Sequence, residues 1–197
     1  MPLAAWTDGW DAFWAESFAL LSLVLAALLV VQIGIVWWIW RRTRRRRRRV
    51  PLVIGGWGTR GKSGTERCKA ALFHAYGANV VSKTTGCEAM IIAAMPRQPA
   101  EEIFLFRPME KATIYEQVQV LQAAERLGCE VFLYECMALN PRYVEVLQDG
   151  WMHDDYGTLT NAYPDHEDVQ GPAGRNVAEV IGGFAPRATV TWTCERQ

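Results

Sequence analysis

"VIGGWGTRGKSGTERC", residues 53–68, is the stretch on which the fold turns. Gly56, Gly61, Lys62 and Ser63 satisfy the pattern G-x-x-x-x-G-K-[ST]. The pattern follows "PLVIG" (51–55), which reads as a strand opened by proline. It precedes "KSGTERCKAALFHAY" (62–76), which reads as a helix closed at Gly77. A strand, a glycine-rich loop and a helix are the context in which this motif holds phosphate. Glycines let backbone N–H groups close around phosphate oxygens, and the helix start adds the positive end of its dipole. Gly56, Gly58, Thr59, Arg60, Gly61, Lys62, Ser63 and Gly64 are therefore the candidate nucleotide-binding residues. Lys62 is expected to reach the β- and γ-phosphates and Ser63 to ligate Mg²⁺. The plainer alternative is an ordinary glycine-rich turn with an exposed lysine. The full motif in this context favours phosphate, without separating kinases, ATPases and ligases.

Working outward toward the N-terminus, residues 17–40 form an uncharged run, "SFALLSLVLAALLVVQIGIVWWIW". A helix of that length exceeds a hydrocarbon core of ~30 Å, and it has no polar face of the kind a soluble core helix carries. A cleaved signal peptide fits less well, because the run is long and its basic cluster follows it. Trp6, Trp10 and Trp14 on one side, and Trp37, Trp38 and Trp40 on the other, suit two interfacial belts. "RRTRRRRRR" (41–49) carries eight of the 21 basic residues. By the positive-inside rule it puts residues 1–16 outside and 50–197 in the cytoplasm. An RNA-binding or nuclear-localisation tract is the other reading of the arginines. Their place against the apolar helix favours an anionic-lipid anchor.

Residues 50–197 carry 13 basic against 18 acidic side chains, so a nucleic-acid footprint is not expected. Five cysteines without CxxC spacing imply reduced thiols, with neither zinc nor disulfides.

Further along, apolar runs and helical patterns alternate. "NVVSK" (79–83), "EVFLYE" (130–135), "YGTLT" (156–160) and "ATVTWT" (188–193) read as strands, "IFLF" (103–106) as a short edge strand, and residues 87–102 as ambiguous. Helices are expected over 111–127, from Asn140 as N-cap through "NPRYVEVLQDG", and around 175–181. Continuous apolar character in 130–135 implies a strand covered on both faces. The alternation predicts a doubly wound, mostly parallel α/β sheet.

Ligands in such sheets sit beyond the carboxyl ends of the strands. Thr84 and Thr85, Glu135, and "TNAYPDHED" (160–168) follow strands and are candidates to face Lys62. A carboxylate at Glu135, after an apolar run, is costly to bury without a cation, and Mg²⁺ is one such cation. A surface glutamate at a strand end is the alternative. His166 is either part of a solvated acidic loop or a metal ligand, with Asp165 orienting it or a water. His74 reads as a packing or surface residue, and His153 as a loop residue without an evident partner.

"GTRGKSGTERC", "SKTTG", "YECMALNPRY", "TNAYPDHEDVQGP" and "TWTCE" together resemble the PgsB/CapB family of poly-γ-glutamate synthase subunits, membrane-bound relatives of the Mur ligases and folylpolyglutamate synthase. The resemblance implies a Mur ligase-like central domain and an ATP-dependent amide ligase. ATP phosphorylates a carboxylate, giving an acyl phosphate, and the amine of an incoming glutamate displaces phosphate. By similarity, Lys62, Glu135 and His166 are the catalytic residues, and the loop with Asn161 binds nucleotide. Ser63, Thr84, Glu135 and His166 then serve the metal. Glutamate and the growing polymer are the implied substrates. PgsC/CapC-like and PgsA/CapA-like membrane subunits are the implied partners.

Two departures accompany the resemblance. No lysine follows Lys111, whereas Mur-type enzymes commonly carry a carbamylated lysine downstream of the DH pair. The family also continues past the "TWTCE" segment, so the C-terminal part is expected to be lacking here. A membrane-tethered P-loop ATPase or kinase, and a non-catalytic truncated assembly subunit, are the competing readings.

Overall fold

The computed structural model describes residues 4–86, 88–107, 112–136, 140–165, 174–184 and 190–194. They fall into two compact units, Met1–Arg42 and Thr43–Gln197. The first consists of most of helix α1, which runs from Ala4 to Arg47. Its span Phe13–Arg47 is long and apolar enough to cross a membrane. Large apolar side chains such as Leu23, Val30 and Ile33 are exposed on it. Near its end, the guanidiniums of Arg41 and Arg42 stand over the rings of Trp37 and Trp38, at 5.0 and 4.8 Å. These contacts join residues four apart, which are neighbours on a helix surface.

The second unit is built on a seven-stranded sheet. Its strands in chain order are β1 (Leu52–Trp57), β2 (Val80–Lys83), β3 (Met90–Ala94), β4 (Glu101–Phe104), β5 (Val131–Glu135), β6 (Tyr156–Leu159) and β7 (Val190–Thr193). Their spatial order is β4-β3-β2-β5-β1-β6-β7. The β2–β5–β1–β6–β7 portion is parallel. The ambiguous residues 87–102 hold β3, which pairs antiparallel with both β2 and β4. The edge strand expected at 103–106 starts earlier, at Glu101, because Met90 pairs with Phe104 and Ala93 with Glu101.

The continuous apolar runs are explained by cover on both faces. On one face, Ala70 of α2 (Lys62–Ala75) packs with Ile54, Val80, Val131 and Leu133. On the other, Val120, Leu121 and Ala124 of α3 (Tyr115–Arg126) pack with Val53, Val81, Phe132 and Tyr134. Adjacent residues of one strand thus enter opposite cores, as the pleat requires. All five residues of β5 are buried. Asn140 caps α4 (Pro141–Glu145) as expected, its side-chain oxygen accepting from the Arg142 amide at 3.0 Å. The helix then widens into a π-helical turn over Val146–Met152 instead of continuing as α. The last described helix, α5, spans Gly174–Phe184 and buries Val177 and Ile181.

β1 lies between the middle strand β5 and β6, and the chain moves outward from this pair in both directions. In open sheets with such a reversal, ligands bind beyond the carboxyl ends of the strands. The glycine-rich loop emerges there.

Candidate nucleotide site

The loop between β1 and α2 is shaped by two left-handed glycines. Gly58 has φ 121° and Gly61 has φ 79°. At Gly58 the demand is steric as well, since a Cβ would stand 2.3 Å from Thr160 Oγ1 and 2.7 Å from the Asn161 carbonyl oxygen. Gly61 is the N-cap of α2 and provides no side-chain cap. First-turn amides left without a side-chain cap are the groups a phosphate can take.

The segment after β6 clasps this loop. Asn161 accepts from the Thr59 hydroxyl at 2.7 Å and from the Arg60 amide at 3.0 Å, and its own amide donates to the Arg60 carbonyl at 2.9 Å. The Thr59 amide donates to the Asn161 carbonyl at 3.1 Å, and the Thr160 hydroxyl to the Arg60 carbonyl at 2.8 Å. Asn161 therefore acts on the shape of the loop through its backbone. Asp165 extends the same segment to 3.9 Å from Arg60.

Glu135 ends β5 beside β1, where its Cα pairs with that of Gly56. It is only 4 % exposed, so its charge needs partners. They converge from the start of α2 and from the turn after β2. The Ser63 hydroxyl and the Thr85 amide each donate to Oε2 at 2.7 Å, and Lys62 Nζ stands 3.9 Å from Oε1. The Gln117 amide fixes the Glu135 carbonyl at 3.0 Å. Lys62 also donates to the Thr59 carbonyl at 3.0 Å, folding back over its own loop. A Cβ on Gly86 would reach 3.2 Å from Ser63 Oγ, so the β2–β3 turn also leaves the serine room.

The donor set fits a Mg²⁺-nucleotide. Ser63 and Glu135 offer two adjacent oxygen ligands of the kind a hard cation takes. Lys62 supplies a positive charge beside them. Among the described residues no cluster of three or more His, Cys, Asp or Glu side chains is arranged for a metal. A metal beside Lys62 would be held by the serine–glutamate pair and by phosphate oxygens.

The other sequence candidates are placed as follows. Gly56 lies inside β1 with the Glu66 carboxyl against its α-carbon. Thr84 is buried, and its hydroxyl accepts from the Met90 amide at 3.2 Å. His166 lies outside the described residues. His74 is half-buried and His153 ends the π-helical turn. Of the described cysteines, Cys129 and Cys136 are buried, while Cys68 and Cys194 are exposed.

Sequence reasoning did not single out a second charged group at this end of the sheet. Lys83, the last residue of β2, is fully buried and meets Glu116 at 3.1 Å. Glu116 also accepts from Arg107 through both oxygens, at 2.9 and 3.1 Å. Burial lowers the Lys83 pKa, with Glu116 opposing. Burial would raise that of Glu116, but Arg107 and Lys83 together hold it below its ordinary value. No residue pattern signals this triad, because its members are 9 to 33 positions apart and meet only through the fold.

These features define a P-loop α/β domain with the fold of folylpolyglutamate synthases. A folylpolyglutamate synthase–AMPPCP complex matches 80 % of the chain with a TM-score of 0.60 at 14 % identity, using 43 % of its own length. E. coli FolC in complex with ADP matches 80 % with a TM-score of 0.57 at 16 % identity, using 42 % of its own length. The resemblance to CapB read from the motifs is borne out. The chain is 30 % identical over 164 residues to PGA synthase CapB of Bacillus subtilis (strain 168), covering 83 % of this chain and 40 % of that protein. It is 31 % identical over 154 residues to the capsule biosynthesis protein CapB of Bacillus anthracis, covering 77 % of this chain and 32 % of that protein. The chain thus spans less than half the length of these curated relatives. No protein-family model matches it.

Proposed function

We propose that the chain carries the ATP-binding site of a membrane-anchored ligase that joins glutamate into poly-γ-glutamate. The observation that carries this reading is the convergence of Ser63, Lys62 and the Thr85 amide on the buried Glu135, beside a left-handed glycine loop. The CapB relatives support the synthase type. One structural neighbour, a bifunctional folylpolyglutamate synthase/dihydrofolate synthase, was solved with Mn, AMPPNP and L-glutamate bound.

In this reading the loop amides from Gly58 to Gly64 and Lys62 hold the triphosphate, with Asn161 keeping the loop in shape. Ser63 and Glu135 hold Mg²⁺, and Thr84 and His166 serve a second metal position. A carboxylate oxygen of glutamate or of the growing chain attacks the γ-phosphorus, and ADP leaves with the electron pair of the broken P–O bond. The amine of the next glutamate then attacks the acyl carbon, phosphate departs, and the amine proton passes to solvent. Such transfer needs positioning and positive charge more than a protein nucleophile. Helix α1 anchors the site at the inner membrane, with the N-terminus outside and the ATP site in the cytoplasm. The exposed arginines Arg41, Arg42, Arg45 and Arg48 face anionic lipid. CapC-like and CapA-like membrane subunits complete the assembly.

The test is ADP release by the full chain reconstituted with its membrane partners. Release should rise with added glutamate, and Glu135→Gln should lower Mg²⁺-dependent turnover about tenfold or more at unchanged protein abundance. ADP release indifferent to glutamate would instead identify a tethered ATPase.

A further inference from the structure

Strand β1 carries two adjacent glycines, and each lies under a buried acid from a different part of the chain. A Cβ on Gly55 would stand 2.1 Å from Asp154 Oδ2, and one on Gly56 would stand 2.0 Å from Glu66 Oε1 and 3.0 Å from its Cδ. Neighbouring strand residues face opposite sides of a sheet, so the two carboxyl groups grip β1 from its two faces.

Glu66 has the more direct bearing on the site, because it belongs to the helix that begins at the phosphate loop. It is fully buried, three residues beyond Ser63. One turn further, Lys69 pairs with it at 2.7 Å. The Lys69 ammonium also donates to the Thr158 hydroxyl at 2.9 Å, and that hydroxyl donates to the Gly55 carbonyl at 3.2 Å. One contiguous set of contacts therefore runs from α2 to β1 and β6. Those three elements carry Ser63, the start of the loop and its Asn161 clasp. Burying a carboxylate and an ammonium is costly unless something is gained in exchange. The gain visible here is registry between the helix and the two strands.

We propose that Glu66 is a positioning residue of the phosphate loop. Its carboxyl, seated on Gly56 and tied through Lys69 to Thr158, sets how closely the first turn of α2 stands to the end of β1. Gly56 is glycine, on this account, because Glu66 occupies the space of its side chain. The next contact a Cβ there would meet is the Tyr134 carbonyl oxygen at 3.5 Å, an ordinary van der Waals distance. The functional half of the proposal rests on the nucleotide-binding reading.

The experiment is a double-mutant cycle on the full chain in detergent, comparing Gly56→Ala, Glu66→Ala and the double variant. Thermal unfolding is followed without nucleotide, and Mg²⁺-ATP affinity by displacement of a fluorescent ATP analogue. Gly56→Ala should lower both unfolding temperature and affinity, or fail to fold. Glu66→Ala alone should weaken Mg²⁺-ATP binding several-fold, and adding Gly56→Ala to it should cost nothing further in either readout. Glu66→Gln, which keeps the shape, should bind close to wild type and remain incompatible with Gly56→Ala.

The proposal is overturned if Gly56→Ala costs the same fold-change in both backgrounds, or if Glu66→Ala leaves affinity untouched while Lys62→Ala abolishes it. Wild-type and Lys62→Ala chains binding Mg²⁺-ATP equally would instead remove the nucleotide reading. The unfolding cycle would still decide whether Glu66 and Gly56 are coupled.

Discussion

The two ends of the sheet are finished in opposite ways. At the amino end, Arg47 donates to the carbonyls of Val50, Met152 and His153 and to Asp155 at 2.7 Å. Asp155 also accepts from the Val53 amide at 2.7 Å. One guanidinium thus joins the start of β1 to the start of β6. Arg46 and Arg49 pair with Glu125 near the end of α3, closing the same edge. At the carboxyl end the backbone is opened by glycines, and the cation Lys62 rests on a carbonyl of its own loop. Cations at the amino end are consumed by the fold; at the carboxyl end Lys83 and Arg107 are likewise consumed by Glu116, while Lys62 is held where a phosphate would take it.

The sharpest way to break this contrast is at Lys62. Lys62→Ala should lower Mg²⁺-ATP affinity about tenfold or more, the worth of a charge-assisted bond to phosphate. The unfolding temperature without nucleotide should hardly move, because among the described residues Lys62 makes a 3.9 Å ion pair and one carbonyl contact. Nucleotide titration and thermal unfolding of the same preparation check both halves. A large loss of stability with unchanged affinity would make Lys62 a structural residue like Arg47.

Arg47→Ala should show the reverse pattern. It leaves the carbonyls of Met152 and His153 and the Asp155 carboxylate short of a donor, with Arg47 itself largely buried. Lost hydrogen bonds to a charged group suggest about 2 kcal/mol, or roughly 4–8 °C in unfolding temperature for a domain of this size. Mg²⁺-ATP affinity of the folded fraction should stay near wild type, which equilibrium binding below the transition would show.

The same contrast governs what was legible in the sequence. The phosphate loop follows a local pattern, and the rule that ligands gather beyond strand ends brought Glu135 toward Lys62 from over 70 residues away. The apolar run 130–135 announced a strand covered on both faces. The arginine run was legible only as composition. That reading assigned the whole run to lipid, whereas Arg46, Arg47 and Arg49 have protein partners 76 to 108 residues distant. Thr85 and Gln117 hold Glu135 through a backbone amide and a side-chain amide, and neither leaves a trace in residue type. Glu66 and Lys69 look like an exposed helical pair three residues apart. The adjacent glycines inside a strand were the one available sign that something lay on top of them.

Those overlying acids give the finest probe of the comparison, through pH. Burial pushes the Glu66 carboxyl up to about 7, with Lys69 opposing and Glu135 adding to the rise. Burial pushes Asp154 up to about 8, against its bond from Tyr134 and the charges of Arg47 and Lys69, with Asp155 adding to the rise. Tyr134 donates to both Asp154 oxygens, at 2.8 and 2.9 Å. The folded chain therefore keeps protons that the unfolded chain releases near pH 4. Stability from these groups is fully present below that range and is lost as pH rises toward 7 for Glu66 and 8 for Asp154. Unfolding free energy measured from pH 5 to 9 should accordingly fall. Asp154→Asn, which keeps an amide where the protonated acid sat, should flatten the upper part of that decline, and Glu66→Gln the lower part. A decline unchanged in both variants would mean that the two acids are already ionised in the fold. Strand β1 would then be held by charge against Lys69 instead of by neutral carboxyl groups seated on its glycines.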